Sequence, residues 1–144
     1  MIWEDHQQTG IEPRLRDPRP IIADGATGTM LQRAGLPVGA PPERWVRERP
    51  EQILALHRAY VDAGAEIILT CTFGGTRPRL SRDGLAAEAE AINRRAVELA
   101  RQAANDQALV AGDIGPTGEL LEPLGALPFA EAVAIFREQA AALA

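Results

Sequence analysis

Residues 66–73 read Glu66-Ile67-Ile68-Leu69-Thr70-Cys71-Thr72-Phe73, a nearly unbroken apolar and β-branched run of strand length. Such runs belong to strands buried on both faces, as in parallel sheets, and not to the alternating strands of a half-solvated antiparallel sheet. The residues that follow supply the crossover. Across 85–104, Leu85, Ala89, Ile92, Ala96, Leu99 and Ala103 recur at spacings of four and three, which is one stripe of a helix. Glu90 and Arg94 sit at i,i+4 on its outer side. A further apolar run over 108–114, Ala108-Leu109-Val110-Ala111-Gly112-Asp113-Ile114, completes a strand–helix–strand unit.

The same alternation extends in both directions. Upstream, Ile21-Ile22-Ala23 predicts a first strand, followed by a short helix through Met30-Leu31-Gln32 that stops at Gly35. The stretch 37–49, rich in proline and charge, reads as a long loop. Pro50 suits the first position of a helix and Gly64 its stop, with Ile53, Leu56, Tyr60 and Ala63 on one face. Downstream, a helix begins near Pro128 with Phe129, Val133, Phe136, Ala140 and Leu143 in register, and the sequence ends inside that pattern. Residues 1–19 show neither structural period and are expected to be an extension, partly disordered. The fold class is therefore α/β, with three βα units over 20–144. A parallel sheet of that size leaves an unpaired apolar edge, so the expectation is an incomplete unit, completed by further chain or by a partner.

Composition narrows the chemistry. The net charge of −5 over 144 residues offers no footprint for nucleic acid or an anionic membrane. All 15 basic residues are arginine, which removes Schiff-base catalysis and lysine-bearing phosphate loops. One cysteine excludes an internal disulfide, and neither a signal peptide nor a spanning segment is legible, so a soluble cytoplasmic protein is expected.

Three polar, glycine-rich clusters fall at the carboxyl ends of the three strands: Asp24-Gly25-Ala26-Thr27-Gly28-Thr29, Thr70 to Thr76, and Asp113-Ile114-Gly115-Pro116-Thr117-Gly118. In parallel α/β folds those ends share one face, and that face carries the active site. Strand-to-helix turns need small residues in any case, but three such clusters together point to a site. Asp24 offers a carboxylate to an ammonium group, and the backbone amides of Gly25, Ala26 and Thr27 can hold a carboxylate, so the pair suits an α-amino acid. The glycine spacing matches neither dinucleotide nor lysine-bearing phosphate motifs. Cys71 reads as a small buried strand residue before a nucleophile, and His57 as a boundary residue before a metal ligand, since zinc wants three or four converging ligands. Arg77 and Arg79 flank Pro78 at the mouth of the site and read as solvated. Trp3 and Trp45 carry no functional argument.

The stretch from Asp24 through Gln32, the stretch from His57 through Phe73, and Ile114-Gly115-Pro116-Thr117-Gly118 together resemble the homocysteine S-methyltransferases, a family that includes the homocysteine-binding module of cobalamin-dependent methionine synthase and the betaine-dependent enzyme. The resemblance runs from about residue 20 to the last. It implies a (βα)8 barrel, of which this chain is the N-terminal portion, and zinc-dependent transfer of a methyl group to the thiol of homocysteine, giving methionine. The donor carries its methyl on a sulfonium, a quaternary ammonium or a corrinoid. Carried over, Asp24 would bind the substrate amine and Gly25, Ala26 and Thr27 its carboxylate; Thr72 and Phe73 would line the pocket, and Gly115 would admit the substrate beside the third strand. Family members often have asparagine where Cys71 stands. The zinc-ligating cysteines and a second acidic group for the amine lie later in the family's barrel and are absent here, so this chain contributes no metal ligand or catalytic residue and is expected to be inactive alone. A different class of reading is a non-catalytic fragment or pairing subunit that binds a ligand or a complementary chain. An in-frame downstream continuation carrying paired cysteines would separate the two.

Overall fold

The computed structural model describes residues 11–144. Trp3 and His6, and the first half of the expected extension, lie outside the described residues. The second half is folded: helix α1 spans Ile11–Leu15, and Arg14 grips Glu66 at 2.6 Å, tying the segment to the start of the sheet.

At the centre, β1 (Ile67–Leu69) pairs in parallel with β2 (Leu109–Ala111), in the register Ile67↔Leu109, Ile68↔Val110 and Leu69↔Ala111. The expected first strand is reduced to one parallel bridge, Ala23↔Ile67, although Glu66 and Asp24 still exchange backbone bonds across it, to Ile22 and Ile67. All three segments therefore lie side by side in chain order. Both named strands are shorter than the apolar runs that announce them. The reason is local: after Leu69 the Thr72 amide turns back to the Thr70 carbonyl at 2.8 Å, which takes the chain out of the ladder.

Helix α2 (Thr27–Arg33) follows the first turn, buries Leu31 and ends at Gly35, whose φ of +107° only glycine adopts without strain. The stretch expected as a loop contains α3 (Glu43–Glu48), which buries Trp45 and Val46. Two prolines at its entry and a length of 6 residues hide the periodicity. Arg49 stacks over Trp45 at 5.2 Å, so that tryptophan is a packing residue. Helix α4 (Pro50–Asp62) begins on Pro50 and stops before Gly64 as expected. Its buried face is Ile53, Leu56, His57 and Val61, while Ala63 is exposed, a correction to the expected stripe. His57 is fully buried and is not a boundary residue. The loop after β1 contains a second unexpected helix, α5 (Arg77–Ser81), anchored by buried Leu80.

Helix α6 (Ala89–Ala104) is preceded by a 3-10 turn at Ala86–Glu88, and all six residues of the expected stripe are buried, Leu85 just before that turn and Ala89, Ile92, Ala96, Leu99 and Ala103 on the helix. Leu and Ile side chains at such positions stabilise by about 1.5–3 kcal/mol each. Glu90 and Arg94 pair at 3.0 Å on the outside. Helix α7 (Phe129–Leu143) departs from expectation in its facing: it packs on α6 through Ala132, Ile135, Gln139 and Ala142, while Phe129 is 73% and Val133 38% exposed.

Helices α4 and α6 cover the sheet face that carries Ile68 and Val110. The opposite face is uncovered: Leu69 is 37% exposed, so β1 is not buried on both faces as its sequence suggests. No helix among the described residues is long and apolar enough to cross a membrane.

Candidate functional site

A cavity of ≈ 770 Å³ opens at the carboxyl ends of β1 and β2. The residues after β1, Thr70 through Gly74, form one wall, and Asp113 after β2 another. Gly25, Thr27 and Gly28 join from the first turn, Glu43 from α3, and Arg79 and Arg82 from α5 and the residue after it. All three glycine-rich clusters thus meet on one face, as their positions at strand ends require.

The wall after β1 is set by a buried polar network. Thr72 Oγ1 donates to the Asp113 carbonyl at 2.7 Å, so its single proton is used and Thr70 Oγ1 donates to it at 2.6 Å. Thr70 Oγ1 in turn accepts the Asp113 amide at 3.0 Å. From behind, Gln139 of α7 donates to the Thr72 carbonyl and Asn93 of α6 to the Gly75 carbonyl, both at 2.8 Å. Gly75 lies tight against this clamp: a Cβ there would stand 2.5 Å from Asn93 Oδ1 and 2.8 Å from Gln139 Nε2. Gly75→Ala is therefore expected to destabilise the protein by about 1–3 kcal/mol, read as a fall in the urea midpoint. An unchanged midpoint would mean the clamp yields freely.

Of the residues singled out in the sequence, Gly25, Thr27, Thr72 and Phe73 line the cavity. Thr72 is fully buried, whereas Phe73 is 54% exposed at the rim. Asp24, Ala26 and Gly115 do not line it. Asp24 sits directly before Gly25, its Oδ2 accepting the Leu69 amide at 3.0 Å. Its Oδ1 is buried without a partner among the described residues. Gly115 donates its amide to the Phe73 carbonyl at 3.1 Å, and the space a side chain would take there is filled by Phe73.

Glu43 escaped the sequence reading because the stretch around it resembles a loop. It is 3% exposed and accepts the Gly74 amide at 2.6 Å. Burial pushes the carboxyls of Glu43, Asp24 and Asp113 above the ordinary range; the Leu69 amide pulls Asp24 back, while Asp113 pushes it further up. Burial also raises the Cys71 thiol well above its usual value, with Glu43 and Asp113 adding to the effect, which keeps it protonated and unreactive. Cys71 therefore stands just past β1 as a packed wall residue.

Among the described residues, no group of three His, Cys, Asp or Glu is placed to hold a metal ion. Zinc, which the family resemblance implies, does not fit the described residues, among which Cys71 and His57 are each buried outside any cluster of three such ligands.

A parallel α/β layer whose strand ends converge on a polar cavity is the arrangement in which βα folds place their ligand sites. The family model for homocysteine S-methyltransferase matches residues 21–144, and the chain belongs to that family. It is 34% identical over 137 residues to betaine–homocysteine S-methyltransferase 1 of Mus musculus, covering 90% of this chain and 33% of that protein. For the Sus scrofa protein of the same name the identity is 33% over 127 residues, covering 83% and 45%. The crystal structure of the homocysteine methyltransferase MmuM from Escherichia coli, metallated form, superposes with a TM-score of 0.76 at 28% identity, covering 92% of this chain and 52% of that one. The chain thus spans about half or less of the length of these relatives.

Proposed function

We propose that this chain forms the first βα units of a (βα)8 domain that transfers a methyl group to the thiol of homocysteine, giving methionine, and that it supplies the grip on the amino-acid end of that substrate. The observation that carries the reading is the division of labour at Asp24. One carboxylate oxygen is committed to the Leu69 amide and the other is buried with no donor among the described residues. Leaving a buried acceptor unpaired is unfavourable by about 1–3 kcal/mol, and a substrate ammonium supplies the missing donor. The amides of Gly25, Ala26 and Thr27 lead into α2, which has no side-chain cap, and are suited to the substrate carboxylate. Thr72 and Phe73 form the adjoining wall, and Gly115 lets the backbone of the third segment close on Phe73. Titrating homocysteine into the chain and its Asp24→Asn variant tests this; equal affinities would sink it.

The incomplete-barrel reading rests on the sheet. Parallel sheets are covered on both faces, yet here helices lie on one face while Leu69 on the other is open. Further βα units beside β2 would close that face into a barrel interior and bring the metal ligands that these residues do not supply. Zinc binding, and with it turnover, is assigned to those units, supplied either by the same polypeptide or by a pairing subunit. A reducing cytoplasm suits the lone Cys71 thiol. The 144-residue chain on its own is expected to self-associate through the open β2 edge and the Phe129–Val133 stripe. Sedimentation showing a monomer at micromolar concentration would contradict this.

A further inference from the structure

The segment from Thr70 to Thr76 belongs to no helix or strand, so its carbonyls have no ladder to join. Within it Thr72 to Gly75 closes as a turn, the Gly75 amide donating to the Thr72 carbonyl at 2.8 Å. That turn is pinned at both ends from behind. Gln139 Nε2 donates to the Thr72 carbonyl at 2.8 Å and to Asn93 Oδ1 at 3.2 Å. Asn93 Nδ2 donates to the carbonyls of Gly75 at 2.8 Å and Ala89 at 2.7 Å. Each side-chain amide thereby uses both of its protons, and reversing either would set oxygen against carbonyl oxygen, so the clamp has one arrangement.

Packing alone does not call for Gln139. It is 2% exposed on the face of α7 that otherwise buries Ala132, Ile135 and Ala142, and its Oε1 has no partner among the described residues. A buried acceptor left unpaired is unfavourable, and an apolar side chain of similar size would avoid it. What the amide adds is the position of the turn, and the turn is cavity wall: Thr72, Phe73 and Gly74 all line it. The same stretch of chain starts from Leu69, whose amide holds the Asp24 carboxylate at 3.0 Å. The space between the Asp24 grip and the wall is thus set by two residues, on α6 and α7, that do not themselves line the cavity.

We propose that Gln139 and Asn93 are positioning residues that select the length of the substrate side chain, holding the Thr72–Gly75 turn where it accepts homocysteine and disfavours the homologue shorter by one methylene. The naming of homocysteine rests on the function proposed above. A pocket of fixed depth leaves unfilled space beside the shorter thiol, and its lining loses those contacts. A wall free to shift closes on either ligand, and the distinction fades.

The test is calorimetric titration of the 144-residue chain with homocysteine and with cysteine, two ligands that share the same ammonium and carboxylate. Wild type is expected to prefer homocysteine by about tenfold or more, the discrimination that one methylene supports. Gln139→Met, close in volume and without a donor, should bring the preference to about threefold or less, and Asn93→Leu should do the same. A merely structural role would not move this ratio, because loss of folded protein weakens the apparent affinity for both ligands by the same factor. Ile135→Val, which loosens the packing of the same helix without touching the clamp, should accordingly keep the wild-type ratio. A wild type that binds both thiols equally, a folded clamp variant that keeps the wild-type ratio, or failure of both clamp variants to fold would each overturn this inference and leave the methyl-transfer reading in place. A wild type that binds neither thiol would overturn that reading and this inference together.

Discussion

Asp24→Asn is expected to weaken homocysteine binding by roughly thirtyfold or more, while leaving the fold intact. Removing one partner of a desolvated, hydrogen-bonded charge pair is unfavourable by about 2–5 kcal/mol, and each 1.4 kcal/mol is about a factor of ten. The asparagine oxygen still accepts the Leu69 amide, so the bond that joins the first turn to β1 survives. What disappears is the charge on the oxygen that has no partner among the described residues. The pH dependence provides an internal control. Burial, with a smaller push from Asp113, raises the Asp24 carboxyl above its ordinary range. An ammonium ligand needs that carboxyl ionised, so affinity should fall on acidification at a higher pH than an ordinary aspartate would give, and the asparagine variant should lose that dependence. Calorimetric titration across the acid range measures both effects; a variant that retains wild-type affinity would remove Asp24 from the site.

Acidification from about pH 6.5 to pH 4 is expected to withdraw about 3 kcal/mol of stability through His57 alone. The side chain is fully buried on α4, and neither ring nitrogen has a partner among the described residues. Burial lowers its pKa from 6.5 to about 4. The unfolded chain therefore binds a proton that the folded protein refuses, and stability rises with pH wherever that is so. The contribution is complete above the unfolded value, declines as pH falls through the window, and levels off near the folded value. The shift of about 2.5 units corresponds to about 3 kcal/mol at 1.36 kcal/mol per unit. The raised carboxyls of Glu43, Asp24 and Asp113 act in the opposite sense, because the folded state holds their protons more firmly. The histidine contribution is isolated by difference. His57→Leu, close in volume and free of orphaned nitrogens, should match or exceed wild type at pH 7.5 and gain on it steadily towards pH 4.5 in urea melts. Parallel stability curves for the two proteins would show that His57 finds a partner on protonation.

Much of the architecture is legible in the sequence because it is written in short-range terms. The α6 stripe from Leu85 to Ala103 is buried in full, Pro50 and Gly64 bracket α4, and the three glycine-rich clusters meet at one cavity. Each of these follows from a backbone period or a terminal preference that a few neighbouring residues set. The cavity's chemistry is less legible. Glu43 lies in a stretch whose prolines mask a short helix, and Arg77 and Arg79 are indistinguishable in sequence, although Glu138 neutralises only the first.

Helix α7 shows where local pattern stops being sufficient. It carries two apolar stripes, and the stronger by composition, through Phe129 and Val133, is the exposed one. The stripe through Ala132, Ile135 and Ala142 is buried because α6 lies there and because Gln139, polar and unpromising in sequence, is needed to hold the Thr72 carbonyl. The amino-acid order alone determined the parallel βα alternation and the gathering of the polar turns at one end of the strands, since both depend on residues within a turn or two of each other. The tertiary packing decided which faces are buried, which carboxylate oxygen is left unpaired and which arginine is left open to the cavity, since those depend on partners 40 or more residues away, such as Asp24 and Leu69 at a separation of 45.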